Sequence, residues 1–172
     1  ISTMAITNNP LPVSALHELE YGRVYHFRDW PNAHVPSIAA GVYTIWDDKT
    51  LLYVGMSGRS LSEDAIRAHR AAQASGKGLF SRLNSHASGR RSGDQFCIYV
   101  CDRLVLPNLN TEQIAQIAAG ELSLDRLTRQ YIHEHLSYRF VETINGAAAR
   151  ELEAAVRRGA LVAGQPFLNP LR

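Results

Sequence analysis

The residues of this chain best suited to chemistry fall into three groups. Two tyrosines sit in short glycine-bearing triplets, Gly41-Val42-Tyr43 and Tyr53-Val54-Gly55, with nine residues between them. Arg82 and His86 follow at i, i+4 spacing, which on a helix puts them one turn apart on one face. Glu153 comes later, preceded by Leu152, and Leu168-Asn169-Pro170 lies near the end of the sequence. Phenol, guanidinium, imidazole and carboxylate together suit phosphodiester hydrolysis. That reaction needs a positioned water, charge stabilisation at phosphorus and a proton for the leaving oxygen. A tyrosine, with an ordinary pKa of about 10, serves as a base only beside cations. A single carboxylate is enough to hold Mg²⁺, because that ion keeps several waters and takes phosphate oxygens as ligands.

The surrounding pattern says what must position these groups. Gly41 to Trp46 and Leu51 to Gly55 are β-rich runs joined by Asp47-Asp48-Lys49-Thr50, a hairpin signal that sets Tyr43 and Tyr53 on adjacent strands. Ser62-Glu63-Asp64-Ala65 opens a helix that runs to about Ala74, and a second helix, Leu79 to Ala87, carries Arg82 and His86. Phe96-Cys97-Ile98-Tyr99-Val100-Cys101 reads as a buried strand. Thr111 caps a helix to about Ala119, Ser123 caps another over Leu124 to Leu136, and Tyr138 to Thr143 reads as a further strand. Asn145 starts a last helix, Ala147 to Gly159, bearing Glu151 and Glu153. Upstream, residues 1–13 form a lead-in, Ser14 caps a short helix through Glu20, and Val24 to His26 suggests a strand. The expected class is α/β (α+β), a small, mostly antiparallel central sheet flanked by helices.

Any one triplet is common; strand tyrosines are more often packing residues than catalysts. The joint order is specific, and over residues 41–170 the chain resembles the GIY-YIG nucleases. The resemblance implies a metal-dependent phosphodiesterase using Mg²⁺ or Mn²⁺. Tyr43 would activate or position water, Tyr53 would line the same pocket, and Arg82 would contact phosphate. Many members carry a second tyrosine one turn after that arginine, whereas some restriction enzymes carry histidine, as here at His86. The expected activity is therefore a DNA endonuclease, of restriction or defence type. A repair nuclease or toxin with the same centre, or a non-cleaving DNA-binding module, are the rival expectations. Glu153 is favoured over Glu151 as the metal ligand by helical facing. The resemblance also implies that two copies pair as a homodimer to cut both strands, and that residues 1–40 extend a core spanning 41–172, with a helical insertion at about 104–137.

Charge is distributed to suit double-stranded DNA. The formal net charge is only +2, but residues 59–91 carry a net +5 and residues 92–149 a net −3. Positive charge thus gathers around Arg82 and His86, where a phosphate backbone would lie. Arg59, Lys77, Arg90 and Arg91 are the candidate phosphate contacts there, with Asn169 as a further candidate. The stretch 111–131 has the spacing of a helix-turn-helix, in which Arg126 or Arg129 would touch bases; two packed helices are the plainer reading. Cys97 and Cys101 have no metal-ligand companions and read as buried thiols of a cytoplasmic protein. His69, His133 and His135 lack partners for a zinc site. No apolar run is long enough to span a bilayer, and no basic-then-apolar leader opens the sequence.

Overall fold

The computed structural model describes residues 12–169. The lead-in residues 1–11 and Pro170 therefore lie outside the described part. Helix α1 (Val13–Tyr21) is followed by a two-residue strand β1 (Tyr25–His26) and then by the long strands β2 (Ile38–Asp47) and β3 (Thr50–Ser57). Helix α2 (Glu63–Ala71), strand β4 (Lys77–Gly78) and helices α3 (Leu79–Ala87) and α4 (Gln95–Val100) come next. Helices α5 (Thr111–Ala118) and α6 (Leu124–His135), strand β5 (Leu136–Thr143) and helix α7 (Gly146–Arg157) complete the order.

The sheet runs β1-β5-β2-β3, antiparallel throughout, with β4 adding a short parallel pairing to the start of β2. β2 is central and covered on both sides, so all of Ile38 to Trp46 is buried. Its alternate residues serve two cores. Ala39, Tyr43 and Ile45 face α3, α4 and α6, packing with Leu83, Phe96 and Ile132. Val42 and Trp46 face α1 and α7, packing with Leu19, Leu152 and Val156. Residues 12–40 are part of this same body: α1 packs on β2 and β5, and β2 already begins at Ile38.

The β2–β3 hairpin forms as its pattern predicts, with Ile45 opposite Tyr53 and Tyr43 opposite Gly55. Leu52 is an extra residue, since the register slips between Ile45 and Trp46. That bulge sends Tyr53 to the same face as Tyr43 and Leu51 to the other. α3 buries Leu79, Leu83, His86 and Ala87, the stripe an amphipathic helix presents to a sheet.

Three expectations need correction. Residues 96–101 form no strand; they are helix α4 continuing into a π-helical turn, Cys101–Val105. Asp94 starts it by accepting the Phe96 and Cys97 amides, and a six-residue apolar run does not by its period distinguish a strand from a buried helix. α1 begins after Pro12 and has no side-chain cap, so Ser14 does not start it. The cap of α5 is Asn110, in a reciprocal capping box with Gln113, and not Thr111. The helices of 111–131 do form, but α5 buries no residue, whereas α6 buries Thr128 and Ile132 and packs on the π-helical turn.

The C-terminal segment runs beside β3. Leu168 N–H donates to Leu52 O at 2.7 Å. Asn169 then mimics a strand partner, its Oδ1 accepting the Val54 N–H at 2.7 Å and its Nδ2 donating to Val54 O at 3.0 Å. Asn169→Ala would leave two buried backbone groups unpaired, so a loss of about 1–3 kcal/mol is expected. Urea unfolding checks this, and an unchanged midpoint would show that the segment does not hold β3.

Candidate active site

The two glycines of the triplets have a steric reason. A methyl group on Gly55 would collide with the ring and hydroxyl of Tyr43, and one on Gly41 with Val141 O and Leu79. The hydroxyl of Tyr43 therefore lies over the opposite strand because that strand has no side chain there. From this position Tyr43 Oη meets His86 Nε2 at 2.7 Å. His86 Nδ1 in turn meets Asp94 Oδ2 at 2.7 Å.

Asp94 completes a chain of three buried polar groups; Tyr43, His86 and Asp94 are 1%, 2% and 3% exposed. The directions of the hydrogen bonds follow from inventory. The second oxygen of Asp94 already accepts the Phe96 and Cys97 amides, at 3.0 and 3.3 Å. Burial alone would raise the Asp94 carboxyl, but the bond from His86 and these amides hold it below the usual carboxylate value, so it is ionised and acceptor-only. Nδ1 of His86 must then carry the proton. Burial lowers the His86 pKa against the opposing pull of Asp94, leaving a neutral ring whose Nε2 is a bare acceptor. Tyr43 O–H donates to it.

Around this chain stand the other predicted groups. Tyr53 packs edge-on to His86, with ring centroids 5.9 Å apart, and lies 6.5 Å from Tyr43. Burial, then the Tyr53 phenol, pushes Tyr43 well above its ordinary value, and burial, then Asp94, pushes Tyr53 up to about 12. Arg82 is exposed at the rim, yet its charge pulls down Tyr43, Tyr53 and His86 alike. Glu153 reaches the same region from α7, since its charge also acts on both tyrosines. Its side chain is 17% exposed and 3.6 Å from Arg157 Nη1. Burial raises its carboxyl, while Arg157 and Arg59 lower it. Glu151 is exposed and lines two open grooves, one with Glu18, Ala148 and β5 and one with Arg59, Arg150 and Arg158.

The remaining DNA-contact candidates scatter. Arg59 lies beside Glu153, but Lys77 sits on β4 with its Nζ 3.0 Å from His69 Nε2. Arg90 is exposed in the loop after α3. Arg91 is bound to Asp125 at 2.7 Å, tying α6 to that loop, and Arg129 Nη1 donates to Ala87 O at 3.3 Å, tying α6 to the end of α3. Arg126 is exposed in the first turn of α6. Asn169 is buried with its amide fully used by Val54. Asp94 is the site residue that the sequence did not single out. Its signal is that of a helix cap, an Asp after Ser92-Gly93 and before an apolar run.

Among the described residues no three His, Cys, Asp or Glu side chains cluster as a metal cage. Glu153 is the only predicted metal ligand there and is shared with Arg157; a hard cation that keeps its waters, such as Mg²⁺ or Mn²⁺, needs no more than one such carboxylate. Cys97 and Cys101 are free and buried, and burial pushes the Cys97 thiol far up. No helix among the described residues is long and apolar enough to cross a membrane. No protein-family model matches the chain, and neither does any curated protein or solved structure.

Both His86 and Asp94 titrate below their ordinary values, so the unfolded chain takes up protons first as pH falls. The stability of the folded state is thus fully present above about pH 6.5 and declines below it. His86→Gln removes one of these groups. The stability gap between wild type and His86→Gln, from urea titrations, is expected to narrow as pH falls below 6.5. A pH-independent gap would mean that His86 is not held neutral by burial.

Proposed function

We propose that this protein is a metal-dependent endonuclease that hydrolyses phosphodiester bonds of double-stranded DNA. The observation that carries this reading is the hydrogen-bonded run Tyr43–His86–Asp94 with Tyr53, Arg82 and Glu153 around it. A non-cleaving module would have no use for a phenol joined to a neutral, oriented imidazole.

The chemistry is a proton transfer through that run. As a water attacks phosphorus and the bond from phosphorus to the leaving oxygen breaks, the proton of the water passes to Tyr43 Oη while the phenolic proton passes to His86 Nε2. The phenol never has to exist as a free phenolate, which burial disfavours. The imidazolium formed is stabilised by the Asp94 carboxylate, already 2.7 Å away. Arg82, exposed and close to both tyrosines, binds the non-bridging oxygens. Tyr53 confines the water. Glu153 would hold Mg²⁺ or Mn²⁺, which supplies charge stabilisation at the phosphate and the leaving oxygen.

His86, where many nucleases of the resembling family carry tyrosine, favours a restriction or defence role over repair. Base recognition by Arg126 or Arg129 has less support. Arg129 is engaged by Ala87 O, and α5 and α6 lack the packed pairing that would present a recognition helix.

The test is incubation of the purified chain with unmodified phage DNA in Mg²⁺ or EDTA. Discrete metal-dependent bands are expected. A metal-dependent smear would point to a toxin or repair enzyme, and intact DNA would remove the nuclease reading. Under single-turnover conditions Tyr43→Phe and Asp94→Asn should each slow cleavage by roughly 10²–10⁴-fold. Glu153→Gln should abolish cleavage and keep DNA binding, whereas Glu151→Gln should cut normally. Loss of activity in Glu151→Gln with Glu153→Gln active would move the metal to Glu151.

A further inference from the structure

Beyond the catalytic cluster, α7 carries a second group of charges that the reaction does not use. Arg150 lies on this helix, Arg158 caps its C-terminal end, and Arg59 comes from the loop between β3 and α2. All three line one open groove together with Gly146, Ala147 and Ala154, and Glu151 is its single carboxylate. The three arginines are exposed, and no hydrogen bond or ion pair holds them among the described residues. Exposed arginine neighbours that find no acceptor repel one another, so the groove favours an anion.

The groove is built by close packing. Gly146 at the start of α7 lies against the carbonyls of Gly58 and Arg59, where a methyl group would not fit, and its N–H donates to Leu61 O at 2.9 Å. Arg59 is thereby set beside α7, and its charge reaches Glu153. The groove therefore begins where the catalytic cluster ends.

Its form decides the kind of anion. A cup would suit one phosphate; this is a stripe. Arg150 and Arg158 are eight residues apart, about 12 Å along a helix rising 1.5 Å per residue. Successive phosphates of one DNA strand advance about 3.4 Å along the duplex axis, so the stripe matches roughly three or four of them.

We infer that Arg59, Arg150 and Arg158 form a phosphate-backbone track that holds one strand of duplex DNA to the side of the scissile phosphate. The inference rests on the nuclease reading above. The track carries affinity and register, not sequence, because guanidinium contacts to phosphate are blind to the base.

The experiment is fluorescence-anisotropy binding of a labelled 30-base-pair duplex in Ca²⁺ at a series of salt concentrations. It compares wild type, Arg150→Gln/Arg158→Gln, and a control that loses the same charge elsewhere, Arg28→Gln/Arg67→Gln. Each phosphate contact contributes about 0.9 to the slope of log affinity against log salt. The α7 variant should therefore bind more weakly and lose about 1.8 from that slope, with the control close to wild type. Thermal unfolding of each variant checks that the fold is kept. Equal slopes for wild type and the α7 variant, or equal losses in both double variants, would overturn the track while leaving the nuclease reading intact. A wild type that neither binds nor cleaves duplex DNA would remove both.

Discussion

The structure turns on one constraint, the burial of Tyr43 with its hydroxyl committed to His86. A phenol at the centre of a sheet needs an acceptor, and an imidazole under a helix needs its tautomer fixed. Each requirement is met by the next group in line, ending at a carboxylate that also starts α4. The arrangement ties fold to chemistry. Without Asp94 the cap of α4 and the orientation of His86 are lost together, and without the bare strand at Gly55 the phenol has no place to lie. Partly satisfied buried networks are costly, so this one is expected to be ordered as a unit. Among the described residues no buried side-chain nitrogen or oxygen lacks a partner.

The same constraint explains why two strands, two helices and a loop are enough for the proposed site. β2 delivers Tyr43 and, through the hairpin bulge, β3 delivers Tyr53 to the same face. α3 puts His86 inside and Arg82 at the rim because four residues on a helix bring both to one side at different depths. α7 lies on the other face of the sheet, yet Glu153 projects past the edge of its apolar stripe of Ala149, Leu152 and Val156. Hence groups from opposite layers meet around β3, whose outer edge is held by the C-terminal segment through Asn169.

Much of this was legible in the sequence where local pattern and tertiary role coincide. The hairpin, α3 and α7 followed from β-rich runs, turn residues and amphipathic spacing, and Ser62, Ser123 and Asn145 cap the helices they were expected to cap. Three things were not legible. Residues 96–101 are all apolar or aromatic, with Phe96, Cys97, Val100 and Cys101 buried and Ile98 and Tyr99 half-buried, which leaves no period to read, and the deciding signal was a single capping Asp. That same Asp94 looked like loop punctuation, since its partner His86 is reached only when α3 and α4 pack. The helices after Asn110 were legible as helices, but not that α5 would bury no residue while α6 packed against Gly89, where Arg129 leaves no room for a side chain.

The most direct test of this account is the ionisation state of His86, which heteronuclear NMR of the imidazole nitrogens reports. At pH 7 the ring is expected to be neutral, with the proton on Nδ1 and a bare Nε2, and to stay so below the ordinary histidine range. In Asp94→Asn the Nδ1–H tautomer should lose its preference. An imidazolium at pH 7, or a neutral ring with its proton on Nε2, would contradict the account, because Tyr43 would then have no acceptor for its proton.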